Sequence, residues 1–419
     1  MITLNYSHRM NKRKFLFATM GLGASLTPIA SWSQDKWGES KGFPTGWGPA
    51  GERQKWEGYT DYHVGNFSGG IETMLAHQTI RASSQPYPLK EAKRKVKVNF
   101  LMDASDFAAK FNRPALLITR NGEVWHEEYR FKRNADMRFF GWSMTKSILG
   151  VLTGIAFDQK RLDALDDRID KYVPQLQGHA FADITLRNLL NMTSGINICE
   201  SFCSPSTGFE RYGYSQIGYS PRRGEGTDQI QGILNFKWGR SEPQGEKFGY
   251  TDINPVLIAW VLETVYQMPL CKIAEKHLWQ PMGAASNATW LTDSKGFTFS
   301  GSGVSATLQD WARFGLLVAN EGNLNGTQIV SKAWLDDTSR HGPQDQAAKF
   351  NVARPGRGYR NFFWHHNADG SMLRMAGAVS QNVLIDKKTK TVLVHTGISD
   401  ESGAEEMMKA LFSSACDQS

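Results

Sequence analysis

The sequence predicts an α/β (α+β) fold, an antiparallel sheet flanked by helices with an all-α subdomain inserted. Three observations carry this. A strand pair and a long apolar helix come early, at 115–129 and 143–160. The middle of the chain, roughly 160–290, reads as helical and rich in loops. The C-terminal part returns to strands and closes on a helix. That order suits a layered α/β sandwich interrupted by a helical insert.

The chain has 419 residues, enough for one large or two ordinary domains. Apolar content is 40% and charged content 21%, ordinary for a soluble globular protein. Formal net charge is +7, but Arg9, Lys12, Arg13 and Lys14 precede residue 34, where no acid stands. Without residues 1–33 there are 44 basic against 41 acidic residues. That balance is too mild for a nucleic-acid partner, and no basic stripe with interleaved aromatics is present. Residues 1–33 read as a signal peptide: Lys12-Arg13-Lys14, an apolar run from Phe15 to Ala30, then Ser31-Trp32-Ser33 before Gln34. The run is short for a membrane span and broken by Gly21 and Gly23. The expectation is a periplasmic or secreted protein with no stable membrane span after signal removal. Four cysteines remain: Cys199, Cys203, Cys271 and Cys416. An even number permits disulfides in an exported chain, and free thiols stay equally open for Cys199–Cys203 and Cys271–Cys416. No histidine accompanies the C-x-x-x-C pair, which argues against zinc.

Residues 34–95 are rich in Gly, Pro, Trp and Ser and read as an extension wrapping over a domain at 96–419. The basic run 90–97 reads as a solvated face. Residues 116–119 and 124–129 flank Asn121-Gly122, the signature of a hairpin with a tight turn. In 143–160, Ile148, Leu149, Leu152, Ile155 and Ala156 form one apolar stripe. Residues 184–190 read as a helix capped by Thr185, and Ser194-Gly195-Ile196 ends it. Residues 197–245 cluster Gly, Ser, Pro and Tyr, the length and composition of a lid or binding surface. Apolar helices are expected at 255–266 and 310–320, the latter with Trp311, Phe314, Leu316 and Leu317 inward. Residues 383–385 and 391–394 flank a polar turn as an antiparallel hairpin, and 404–413 is a final helix.

The chemistry centres on Ser143 and Lys146, in S-x-x-K spacing at the start of the 143–160 helix. Residues three apart on a helix share a face, so the amine reaches the hydroxyl. A serine hydroxyl needs a base to become a nucleophile, and a lysine left neutral by desolvation is one. Ser143 taken alone also reads as an ordinary helix-start serine. A second S-x-x-K, Ser33 to Lys36, has no helical stripe around it. His126-Glu127 opens a zincin-like motif, but Arg130 stands where the second histidine belongs, so that reading is dismissed.

Two further sites follow. Phe248-Gly249-Tyr250-Thr251-Asp252 places Tyr250 107 residues after Ser143, and Met375-Ala376-Gly377 begins 125 residues later. With Ser143 and Lys146 they resemble, in order and rough spacing, the three motifs of serine β-lactamases and penicillin-binding proteins. Residues 184–196, 250–263 and 301–322 resemble further stretches of the class C-like branch, so the likeness spans about 100–415. Within that branch, Met375-Ala376-Gly377-Ala378-Val379-Ser380-Gln381 is most similar to the A-x-G-x-x-G-Q strand of esterases and 6-aminohexanoate-dimer hydrolases. The resemblance implies a β-lactamase-like fold and a serine hydrolase that cleaves a small-molecule ester or amide through an acyl-enzyme. It implies Ser143 as nucleophile, Lys146 as base and Tyr250 as second proton relay. The N–H groups of Ser143 and Ala378 are implied as the oxyanion hole. Asp252, Met375 and Gly377 are implied at the substrate, with no metal or organic cofactor.

Two positions depart from the lactamase pattern. Asp252 replaces the asparagine of Y-x-N, and Met375 replaces the lysine of K-T-G. Both changes remove groups that hold a β-lactam, and the charge of Asp252 is expected to repel a carboxylate. A D-alanyl-D-alanine carboxypeptidase, a β-lactamase and a catalytically silent binding protein on the same fold are the alternatives.

Overall fold

The turn at Asn121-Gly122 takes left-handed φ at both residues, +51° and +79°, the geometry its chemistry favours. It joins two strands of an eight-stranded sheet. The computed structural model describes residues 63–99, 102–196, 228–235, 240, 242–324, 326–340, 358–367 and 369–418. The signal-peptide reading for 1–33 and the Cys199–Cys203 question lie outside them.

In chain order the main strands are His77–Ile80 (β1), Lys90–Glu91 (β2), Ala115–Arg120 (β3), Glu123–Tyr129 (β4), Arg138–Phe140 (β5) and Ala288–Leu291 (β6). They continue with Val304–Thr307 (β7), Tyr359–Arg360 (β8), Phe363–His365 (β9), Met372–Gly377 (β10), Gln381–Asp386 (β11) and Thr391–His395 (β12). The helices that matter most are Ala104–Lys110 (α1), Met144–Asp158 (α2), Leu186–Leu190 (α3), Ile253–Tyr266 (α4), Leu308–Ala319 (α5) and Ala404–Asp417 (α6). The large sheet runs β8-β9-β10-β11-β12-β3-β4-β2. It is antiparallel except where β2 lies parallel on β4. A four-stranded sheet runs β1-β6-β7-β5.

Strand alternation divides the core into layers. Leu116, Ile118, Leu384 and Leu393 face one way and pack with Phe107 of α1 and Met408 and Leu411 of α6. Leu117, Met375, Val383 and Val394 face the other way, into the larger core with α2 and α5. Helix α2 is buried on every side from Met144 to Ala156, polar residues included. The apolar stripe therefore understates its burial. Its polar side chains are paired: Ser147 Oγ donates to the carbonyl of Phe362 at 2.7 Å and Thr153 Oγ1 to that of Leu149 at 2.8 Å.

Several elements differ from the sequence reading. Part of the 34–95 extension is built into the sheets: β1 edges the smaller one and β2 the larger, with Phe67 and Ile71 buried. The smaller sheet was not legible, because its strands of three or four residues are too short to show alternation. The 160–290 region is helical through α3 and α4 but ends in β6. Within 197–245, Gln229–Leu234 is a helix capped by Asp228. The last helix continues to Asp417. Cys271 and Cys416 are buried free thiols, so that pair is unbridged.

Candidate active site

Strand β5 delivers the chain to the start of α2. Gly141 donates its N–H to the carbonyl of Val304 at 2.8 Å, tying the strand end to β7. Trp142 then takes φ +48°, a left-handed conformation that is costly for a bulky residue. Its indole is held against Phe140 and Phe67, with ring centroids 5.0 and 5.3 Å away. This turn sets Ser143, half-buried, at the first position before the helix. The N–H groups of Met144 and Thr145 already donate to the carbonyls of Gly141 and Trp142, each at 3.0 Å. The Ser143 hydroxyl makes no capping bond. It lies instead 3.0 Å from Lys146 Nζ. Ser143 thus stands at the helix start without capping it.

Lys146 is 1% exposed. Its Nζ also donates to the carbonyl of Gly301 at 2.8 Å and lies 2.5 Å from Asp252 Oδ1. The expected desolvation is present. Burial favours the neutral amine and the adjacent carboxylate favours the ammonium, so the two act on Lys146 in opposite directions. Asp252 stands at the cap position of α4, and its side chain makes no capping bond there either. Two helix starts thus turn their polar side chains toward one buried amine. Gly301 must be glycine for this: a Cβ there would meet Asp252 Oδ1 at 2.5 Å. The Asp252 carboxylate is thus turned onto the Lys146 amine.

Tyr250 is half-buried, with Lys146 Nζ 4.8 Å from its ring centroid. It stacks on Trp364 at 5.7 Å and 19° and meets Tyr359 edge-on at 6.0 Å. Burial pushes the Tyr359 hydroxyl well above its ordinary value, with Tyr250 and Asp252 adding to the effect.

The third motif arrives from β10. A Cβ on Gly377 would meet the carbonyl oxygen of Gly141 at 2.3 Å and Trp142 Cβ at 2.9 Å. Only a glycine lets the end of β10 approach the segment before Ser143 this closely. The turn that follows carries Ala378, which is exposed, then Val379 and Ser380 at φ +50° and +64°. Met375 is fully buried in the larger core, so it presents no surface to a substrate, contrary to the expectation for that position. Arg374 lies on the opposite face, as alternation requires, bonded to Asn382 Oδ1 at 2.7 Å and 3.4 Å from Glu405 Oε1.

The structure thus brings Ser143, Lys146, Tyr250, Asp252 and Gly377 together and leaves Met375 behind them. The sequence reading assigned no role to Gly301, which contributes a backbone carbonyl and the room a missing Cβ leaves for Asp252. It assigned none to Trp364 or Tyr359, which no motif marks.

The beta-lactamase family model matches residues 108–403. A 6-aminohexanoate-dimer hydrolase of Paenarthrobacter ureafaciens is 27% identical over 282 residues, 67% of this chain and 71% of that protein. Among solved structures, a candidate 6-aminohexanoate-dimer hydrolase from Bacillus anthracis superposes with a TM-score of 0.71 at 21% identity, covering 85% of this chain and 94% of that one. EstCE1, a hydrolase with promiscuous acyltransferase activity, gives 0.60 at 14% identity, covering 75% and 96%. At these identities the two structures speak for the fold.

Proposed function

The chain belongs to the beta-lactamase family and is a serine hydrolase; from that premise we propose that it cleaves an ester or unstrained amide lacking a carboxylate, through an acyl-enzyme on Ser143. The observation that carries this is the Ser143 hydroxyl, unused by its helix and 3.0 Å from a buried lysine amine.

In the proposed reaction Ser143 Oγ attacks the substrate carbonyl carbon as its proton passes to Lys146 Nζ. The carbonyl oxygen becomes an oxyanion, met by the N–H groups of Ser143 and Ala378, which act by being fixed in place beforehand. Collapse expels the alcohol or amine, which takes a proton through Lys146 and Tyr250. Water then attacks the acyl-enzyme by the same steps in reverse and frees Ser143. Residues 1–33 are proposed to export the protein to the periplasm or medium.

A fluorophosphonate probe tests the assignment. The wild-type protein is expected to label once per chain and Ser143→Ala not at all, with an unchanged circular dichroism spectrum. Labelling of Ser143→Ala at the wild-type rate moves the nucleophile elsewhere.

A further inference from the structure

The buried amine has a carboxylate where the lactamase pattern has a neutral amide, and that difference has chemical consequences. Among the described residues, Lys146 Nζ lies near three oxygens: Ser143 Oγ at 3.0 Å, the Gly301 carbonyl at 2.8 Å and Asp252 Oδ1 at 2.5 Å. A carbonyl and a carboxylate only accept hydrogen bonds, whereas a hydroxyl accepts or donates. A neutral amine has two N–H groups and one lone pair. With Gly301 and Asp252 taking the two N–H groups, the lone pair is left facing the Ser143 hydroxyl. That is the orientation a base needs. An ammonium has a third N–H, which then points at Ser143 Oγ and leaves no lone pair for the serine proton.

We propose that Asp252 is a positioning residue acting through Lys146: its oxygen aims the amine at Ser143, and its charge keeps the amine protonated until alkaline pH. This rests on the reading of Ser143 and Lys146 given above. Among the described residues, the titratable side chains facing this cluster include Tyr250, under the amine at 4.8 Å, and Tyr359, which feels both Tyr250 and Asp252. Burial pushes the Tyr359 hydroxyl well above its ordinary value, so at neutral pH it adds no charge beside Asp252. Asp252 is 23% exposed and Lys146 1%, so the pair is shielded far better than a surface ion pair. The step balances simply. The Oγ–C bond forms, the carbonyl π pair moves to oxygen, and the serine proton goes to the Lys146 lone pair.

The sign follows from the charge. A carboxylate beside the amine favours the ammonium, so the base-competent amine is populated only at higher pH. Removing the charge while keeping an acceptor oxygen moves that point toward acid. The test is the pH dependence of kcat/KM on p-nitrophenyl butyrate for wild type, Asp252→Asn and Asp252→Leu, with Ser143→Ala as the blank. Asp252→Asn is expected to shift the acid limb down by about one to three pH units, the usual range for losing one close opposite charge. Asp252→Leu keeps neither charge nor acceptor; it should shift the limb likewise and lose a further tenfold or so in kcat through poorer aim. An Asp252→Asn limb that stays at the wild-type position overturns the proposal, as does a folded Asp252→Asn protein inactive at every pH. Fluorophosphonate labelling of the wild type keeps the two readings apart. Labelling with an unmoved limb defeats the role of Asp252 alone, and absence of labelling defeats the Ser143 assignment beneath it.

Discussion

The side-chain amide of Gln381 is joined to the backbone of Gly397 at both ends, Nε2 donating to its carbonyl at 2.7 Å and Oε1 accepting its N–H at 3.2 Å. The same Nε2 lies 3.2 Å from the carbonyl of Val379. Gln381 is buried, and it closes the turn that carries Ala378. That turn holds two consecutive residues, Val379 and Ser380, in left-handed conformations without a glycine. Such backbone persists only when its surroundings hold it. Gln381 grips it from beneath, and Ser380 Oγ donates to Asp400 Oδ1 at 2.8 Å from the side.

Gln381→Met keeps the volume and removes the amide, so the turn loses its grip while Gly397 loses both partners. If Ala378 supplies an oxyanion donor, kcat should fall by about 10- to 100-fold, short of the full loss of such a donor. KM should change by less than about threefold, because the ground-state carbonyl gains less from that donor than the oxyanion does. Steady-state kinetics on a neutral ester, with thermal melting alongside, checks this. A variant with normal kcat and only a lower Tm would make Gln381 a structural clamp with no part in catalysis.

Tyr250 has two employments to separate. Its ring stacks on Trp364, and its hydroxyl is the proposed proton relay. Tyr250→Phe keeps the ring and removes the hydroxyl, so Tm should hold while acylation slows by about a hundredfold, the usual scale for a lost proton-transfer group. Trp364→Ala removes a buried aromatic, so Tm should fall sharply, with about 3–5 kcal/mol lost. Pre-steady-state bursts with a nitrophenyl ester separate acylation from turnover. Normal burst rates in Tyr250→Phe would assign this tyrosine to packing.

The parts of the fold legible in sequence were those with a long repeat or a strong local signal. The Asn121-Gly122 turn, the β11–β12 hairpin and helices α2, α4 and α5 all stand where the pattern places them. Thr185 caps α3 through the N–H of Asn188, as its position suggested. The smaller sheet was hidden because two of its strands, β1 and β5, are short and lie outside any recognisable run. In the site, side-chain chemistry at fixed spacing pointed to Ser143 and Lys146. What decides their charge was not legible, since Asp252 and Gly301 meet the amine from 106 and 155 residues away. Sequence alone shows that Asp252 is acidic, not that it lies against the Lys146 amine.

Specificity turns on where the positive charges of β10 lie. In the lactamase pattern a lysine at the position of Met375 faces the carboxylate carried by β-lactams and D-alanine termini. Here that position holds an uncharged side chain sealed in the core. The adjacent Arg374 is committed to Asn382 and Glu405 on the far face. Lys146 Nζ, beside the serine, is already engaged by Asp252 Oδ1 at 2.5 Å. Neither Lys146 nor Arg374 is left to receive a substrate carboxylate, so the missing charge-assisted hydrogen bond, about 1.5–3 kcal/mol, sets the discrimination. That corresponds to a loss of roughly 10- to 150-fold in kcat/KM for carboxylate substrates. Nitrocefin and a D-Ala-D-Ala peptide should therefore be turned over slowly or not at all, and p-nitrophenyl butyrate measurably, when kcat/KM is compared side by side. Adding a cation back, as Met375→Lys, should not rescue nitrocefin, because the new ammonium would be buried unpaired in the core and cost stability instead. Efficient nitrocefin hydrolysis by the wild type with a poor ester rate would reverse this reading of Met375.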